Sequence, residues 1–443
     1  MAHDEYDRLP SHTTVVVEEY EKKSSRSQAT FLLINSAVGA GVLSMPMIFY
    51  RNGLLNGFLI IVCIASIQAY TLGVLSRAAS VTNSHSYGGL VMAKLGRHAS
   101  IALNVSMLLY LFGSSVAYLL IVGDSFETLW GYILQHVFQY GSKDGWLASR
   151  QFVIAAIGCT CILPQCYKKT LSGSAFVSLL NLVAFVGIVL CIILYSIQHI
   201  LGLPAAARFD GVVLYGDVGG IFDTISIAVF GFQCHSQVVA VFNELEDSQV
   251  PRYLKVIKRF EGSSKILVML DVILKSMLTC AIGYLLVGAV SYSAFPKTIQ
   301  SNIFNTFGYD SVIISTARLI VGVLQIASYP VNHFPARKAL SEGIIMPLLK
   351  KEPSGNGFVF VETSVFFTLS LILALSFTEL GTVFSLVGGT SGTVIIFIIP
   401  GALLLHEARD HQQQNIRILF SISGGFLILF GAGLFLYTLI STL

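Results

Sequence analysis

The sequence predicts an all-α, polytopic membrane protein of about eleven spans, and three observations carry that prediction. Of 443 residues, 54% are hydrophobic and only 12% charged, with a mean hydropathy of +0.74. Soluble domains carry about 25% charged residues, so polar surface here is too scarce to face water all round. Apolar runs such as "LLNGFLIIVCIASIQAYTLGVL" and "FVSLLNLVAFVGIVLCIILYSI" reach the roughly 20 residues that a helix needs to cross a bilayer. Lys and Arg, finally, crowd into alternate connections between those runs.

The opening stretch, "MAHDEYDRLPSHTTVVVEEYEKKSSRSQAT", is polar and mixed in charge. It lacks the basic-then-apolar layout and small-residue cleavage site of a signal peptide. Residues 1–28 are therefore expected to be a flexible cytoplasmic tail, with "VEEYEKK" solvated. Its "YDRL", Tyr6 to Leu9, fits the Tyr-x-x-bulky-apolar sorting pattern, which is also short enough to arise by chance.

Spans follow at 29–50, 54–76, 100–124, 151–166 and 174–200, then at 220–243, 266–292, 311–341, 357–378, 381–406 and 416–439. The first contains "NSAVGAGVLSMP", poor material for an unbroken helix, since glycine and proline cost about 1 and 3 kcal/mol relative to alanine in a helix interior. The third holds Asn104-Val-Ser within the helix, so no glycosylation sequon falls in an outer loop. The sixth contains "AVFGFQCHSQVVAVFNEL", with a glycine, Gly231, and polar Gln233, Cys234, His235, Ser236 and Gln237 at mid-membrane depth. In the seventh, Asp271 and Lys275 lie four apart on one face, a structural pair able to snorkel outward. In the eighth, Arg318 has Asp310 two turns above it. It is expected to form a gate-side ion pair with an acid such as Asp124 or Glu379, and Asp223 is assigned to the same outer gate.

With a cytoplasmic N-terminus, twenty Lys and Arg fall on the inner side, five on the outer side, and two, Lys275 and Arg318, within spans. An odd number of spans then leaves the C-terminus outside or in a lumen. The net charge of +3 is thus a topology signal and gives no indication of nucleic acid. The seven cysteines lie in spans or at their ends, so neither a disulfide framework nor a zinc site is expected.

Spans 1 and 6 are corresponding first helices if the chain is two inverted repeats of five, residues 29–206 and 207–407, with an additional helix in 408–443. Paired interruptions in matching halves are the best sequence pointer to a transporter site. Non-helical backbone at membrane depth survives only when it is buried or lines an aqueous cavity. A break exposes N–H groups that suit a carboxylate and C=O groups that suit a cation. A lone GxG can instead serve a close helix–helix contact; the pairing with span 6 favours a site. His235 has two readings, packing against a neighbouring helix, or substrate contact and proton sensing.

At these residues the sequence resembles the sodium-coupled neutral amino acid transporters, in the amino acid/auxin permease group of the amino acid–polyamine–organocation superfamily. "NSAVGAGVLSMP", "FGFQCH...VFNEL", "ARLIVGVLQIASYPVNHFPARKAL" and "FSLVGGTSGTVIIFIIPGALLL" carry the likeness, over residues 25 to 440. The helix 6 motif is closest in form to the lysosomal glutamine/asparagine-exporting branch. The resemblance implies the leucine-transporter fold, discontinuous helices 1 and 6, and a Na⁺ site at Asn35, Val38 and Ser328. It places the substrate carboxylate on the amides of Gly39, Ala40 and Gly41, and the side-chain pocket at Phe230, Gly231, Gln233 and His235. Two departures stand out: no carboxylate adjoins the helix 1 break, and outer-loop cysteines and sequons are missing.

The expected function is secondary active transport of small neutral L-amino acids, glutamine and asparagine first, then alanine and serine, by a monomeric unit in the plasma or lysosomal membrane. Na⁺ is the expected coupling ion, with H⁺ symport or export from an acidic organelle as the alternative, and an amino acid sensor with slow transport as a third reading. No cofactor is expected. No nucleophile–base pair and no phosphate-binding loop suggests an enzyme or a primary pump.

Overall fold

The computed structural model describes residues 24–82, 84–138, 145–168, 174–216, 219–246, 264–308, 311–346 and 355–442. Among them every regular element is a helix: α1 (Arg26–Ala37), α2 (Met45–Thr82), α3 (Tyr87–Leu95), α4 (Arg97–His136), α5 (Arg150–Ile157), α6 (Leu163–Cys166), α7 (Ser174–Gly202), α8 (Ile221–Gly231), α9 (His235–Glu244), α10 (Ser264–Ala294), α11 (Ile303–Thr306), α12 (Val312–Leu340), α13 (Asn356–Ser376), α14 (Leu380–Val387), α15 (Ile399–Asp410) and α16 (Gln414–Thr442). A 3-10 turn, Ala40–Ser44, leads into α2. Single π turns join α5 to α6 and extend α12, and two successive π turns carry α14 into α15. Nine continuous helical stretches among the described residues are long and apolar enough to cross a membrane.

Local chemistry sets several ends. Ser25 and Gln28 form a reciprocal capping box, so α1 begins at Arg26, ahead of the 29 that hydropathy alone suggests. Just before it, Ser24 forms a parallel bridge with Leu245, its N–H donating to the Glu244 carbonyl at 2.7 Å. The end of the expected tail is therefore ordered. Tyr6 to Leu9 lie outside the described residues, as do Asp310 and much of the basic tally. Within α2, Gly53 adopts φ +80, and a Cβ there would stand 2.7 Å from the Leu214 carbonyl oxygen and the Gly216 nitrogen. Only glycine fits both constraints. The chain entering α8 is thereby stitched to the kink, with Leu54 N–H donating to Val213 O and Leu55 N–H to Leu214 O, both at 2.9 Å.

The core is formed where α12 packs along α4 and α10 along α2. One expected pair is observed as read: Lys275 Nζ donates to Asp271 at 2.9 Å, and Arg26 adds a second cation at 3.5 Å. A denser network joins α12 to α13, where Glu362 accepts from Arg337 Nε at 2.8 Å and lies 3.0 Å from His333 Nε2.

Candidate functional site

Two interruptions meet at the centre of the molecule. The chain leaves helical geometry at Val38 and Gly39, and again between Gly231 and His235. They touch backbone to backbone: a Cβ on Gly41 would stand 2.8 Å from the Cα of Gly231. Only two bare main chains can approach so closely.

Breaking a helix strands its last carbonyls, and in a bilayer each needs a donor. Two buried phenols reach three of them. Tyr284, on α10, reaches both breaks, its hydroxyl lying 2.7 Å from Gly231 O and 3.1 Å from Ala37 O. Tyr110, on α4, donates to Phe230 O at 3.0 Å, and Gln68 Nε2 to Val229 O at 3.3 Å. The following segments start without side-chain caps, at Gly39 and at Cys234. Their first amides are uncapped donors.

A cavity of about 380 Å³ opens beside the breaks. Its walls include Asn35, Val38, Gly39, Ala40, Gly41, Phe230, Gly231, Gln233 and Ser328, which the sequence reading singled out. Asn181, Ser236, Gln237 and Asn332 add neutral polar groups, and Glu244 is the one charged residue among the lining residues. The amide oxygen of Asn35 is buried and has no hydrogen-bond partner among the described residues. Ser328 Oγ accepts from Asn181 Nδ2 at 3.2 Å.

The cavity extends to Leu32, Glu244 and Pro335, the end of the bundle where α1 begins. Its other end is shut. Phe230 stacks between Tyr110 and Phe384, with centroids 5.2 and 4.2 Å away. Beyond the rings, Asn52 donates to Thr224 at 2.8 Å, Arg51 pairs with Asp223 at 3.4 Å, and Ser44 donates to the Ser301 carbonyl.

Two expectations are corrected. His235 is fully buried and is not among the residues lining the cavity; its Nε2 lies 2.8 Å from Thr71 Oγ1 on α2, because the first residue of α9 turns away from the breaks. Arg318 does not pair with Asp124 or Glu379. It donates to the backbone carbonyls of Phe304 and Phe307, while Asp124 is held by Arg150 at 2.7 Å and Asn302 at 2.9 Å. Asp223 accordingly joins Arg51, separate from Arg318. Tyr110, Tyr284 and Gln68 escaped the sequence reading. Their one signal is a hydrogen-bonding group inside an apolar run, which among 18 tyrosines picks out none.

Residues 22–443 match the family profile described as transmembrane amino acid transporter protein. Sodium-coupled neutral amino acid transporter 7 of Danio rerio is 25% identical over 396 residues, covering 87% of this chain and 80% of that protein. The Homo sapiens protein of the same name is 24% identical over 394 residues, with the same coverage. Solute carrier family 38 member 8 of Mus musculus is 26% identical over 389 residues, covering 85% and 84%.

Proposed function

The chain belongs to the transmembrane amino acid transporter family, and from that premise we propose that it carries small neutral amino acids by Na⁺-coupled alternating access. It is a multi-pass membrane transporter rather than an enzyme. The observation that carries the finer reading is the partnerless, buried Asn35 amide oxygen on a cavity beside two uncapped helix starts. An orphaned buried acceptor costs about 1–3 kcal/mol, so a cation passing through the site relieves a standing penalty.

In this reading Asn35 Oδ1, the Val38 carbonyl and Ser328 Oγ form an oxygen set suited to a hard cation. Ser328 uses one lone pair on Asn181 and retains another. The amides from Gly39 to Gly41 take the substrate carboxylate, where the helix dipole favours it. Gln233 and Gln237 give an amide side chain both a donor and an acceptor, which favours glutamine or asparagine over alanine or serine. Both ligands are cargo, and each enters or leaves when the ring stack and the Asn52–Thr224 contact open at one end or the α1 side opens at the other.

The same reading takes the chain as eleven spans in two inverted repeats, with a cytoplasmic N-terminus. Gly53 divides the stretch Ala40–Thr82 into two crossings, and Arg150–Cys166, joined by a π turn, is a further short one. Purified protein in liposomes, given labelled glutamine with and without a sodium gradient at two pH values, tests the proposal. Asn35→Ala and Ser328→Ala should each raise the Na⁺ concentration needed for half-maximal flux. Flux unchanged when choline replaces Na⁺ at fixed pH would overturn sodium coupling.

A further inference from the structure

A second cavity, about 770 Å³, lies between α3, α4, α12 and the start of α13, at the same end of the bundle as the mouth of the first. Its walls combine three cationic side chains, Arg97, Arg337 and Lys338, with partly exposed apolar ones, Met92, Phe334 and Met346. Among the described residues, the carboxylates paired with Lys338 and Arg337 are Glu342, 3.7 Å from Lys338 at the surface, and Glu362, which holds Arg337 from behind.

Two further features point to an anion. Helices α4 and α13 both start at this cavity with glycine N-caps, Gly96 and Gly355, so neither first turn has a side-chain acceptor. Independently, Asn104 lines the cavity, is only 6% exposed, and its amide makes no hydrogen bond among the described residues. An amide that lines the cavity beside cationic groups and makes no hydrogen bond to the described residues offers two N–H donors to an occupant.

We propose that this cavity is a binding site for a phosphate-bearing anion, held by Lys338, Asn104 and the two uncapped helix starts. Basic pockets between helices on the cytoplasmic side suit anionic headgroups, and helix N-termini add oriented N–H groups. A free phosphate offers the same oxygens, but the apolar wall of Met92, Phe334 and Met346 favours a lipid, whose acyl chains would cover it. The site also bears on transport through α12, which presents Asn332 and Pro335 to the first cavity and Phe334 and Lys338 to the second. Pro330 and Pro335 interrupt hydrogen bonding in this stretch, and the π turn Ser341–Ile345 adjoins the second cavity. A ligand preferring one arrangement of α12 would alter affinity at the first cavity reciprocally.

The test uses the full chain in phosphatidylcholine nanodiscs, titrated with dioctanoyl phosphatidylinositol 4-phosphate, dioctanoyl phosphatidylcholine or inorganic phosphate, with bound ligand counted by native mass spectrometry. The anionic lipid should bind saturably and at least tenfold tighter than phosphatidylcholine. Lys338→Glu, a surface change that leaves the ligand-free melting temperature in place, should weaken it at least tenfold, as should Asn104→Leu. Equal binding by wild type and both variants would overturn the site. Saturation by inorganic phosphate at the lipid's own concentrations would overturn the lipid as its source while keeping the anion. Neither result depends on which substrate or coupling ion the first cavity uses.

Discussion

Tyr284→Phe removes one oxygen atom and should disturb both breaks together. The hydroxyl has a single proton, shared between Gly231 O at 2.7 Å and Ala37 O at 3.1 Å, so the loss is one donor and not two hydrogen bonds. Tyr284 is fully buried, and phenylalanine fills nearly the same volume, so the packing term is small. What remains is a buried carbonyl without a donor, costing about 1–3 kcal/mol. Expressed as an equilibrium between this paired-break arrangement and its competitors, that is a factor of about 5 to 150. Thermal melting in detergent should show lower stability, and glutamine flux in liposomes should fall through weaker apparent affinity. Tyr110→Phe, which deprives Phe230 O alone, serves as the partner in a double-mutant cycle. Melting and apparent affinity both equal to wild type would show that these phenols do not hold the breaks.

Gly41→Ala drives a methyl group into the Gly231 backbone at 2.8 Å; a main-chain atom cannot swing aside, so a cost of about 1–3 kcal/mol and a near-complete loss of flux are expected. Gly53→Ala meets both φ +80 and a 2.7 Å backbone contact, and melting should fall by more than the roughly 1 kcal/mol typical of an unfavourable left-handed residue. Glu362→Gln keeps the shape of the side chain but leaves Arg337 without its counter-charge in a buried network; denaturation should report a loss of about 3–5 kcal/mol, partly recovered by Arg337→Met in the same chain.

The helices are legible because hydropathy reports burial in lipid directly, and the first break is legible because Gly39, Gly41 and Pro46 favour helix so weakly. Helix α3 was not. Ser86 caps only nine residues, too short a stretch for a span and embedded in a polar connection. The side chains around the second break show where one-dimensional reading ends. Gln233 and His235 are two residues apart and look equivalent in sequence, yet only Gln233 reaches the cavity. Each helical residue turns about 100°, so which of them faces inward depends on how many residues the break consumes and at what angles. Arg318 makes a related point: charge suggested Asp124 or Glu379 as its partner, but the turn around α11 brings it two carbonyls.

The bridge between Ser24 and Leu245 has a mechanical corollary. It fastens the chain just before α1 to the chain just after α9, the two half-helices that flank one side of the cavity mouth. Those halves are yoked: either one can swing outward alone only after two main-chain hydrogen bonds, at 2.7 and 3.0 Å, have parted. Ser24→Pro deletes one of the donors, and faster amide exchange at Glu246 than in wild type would register the uncoupling.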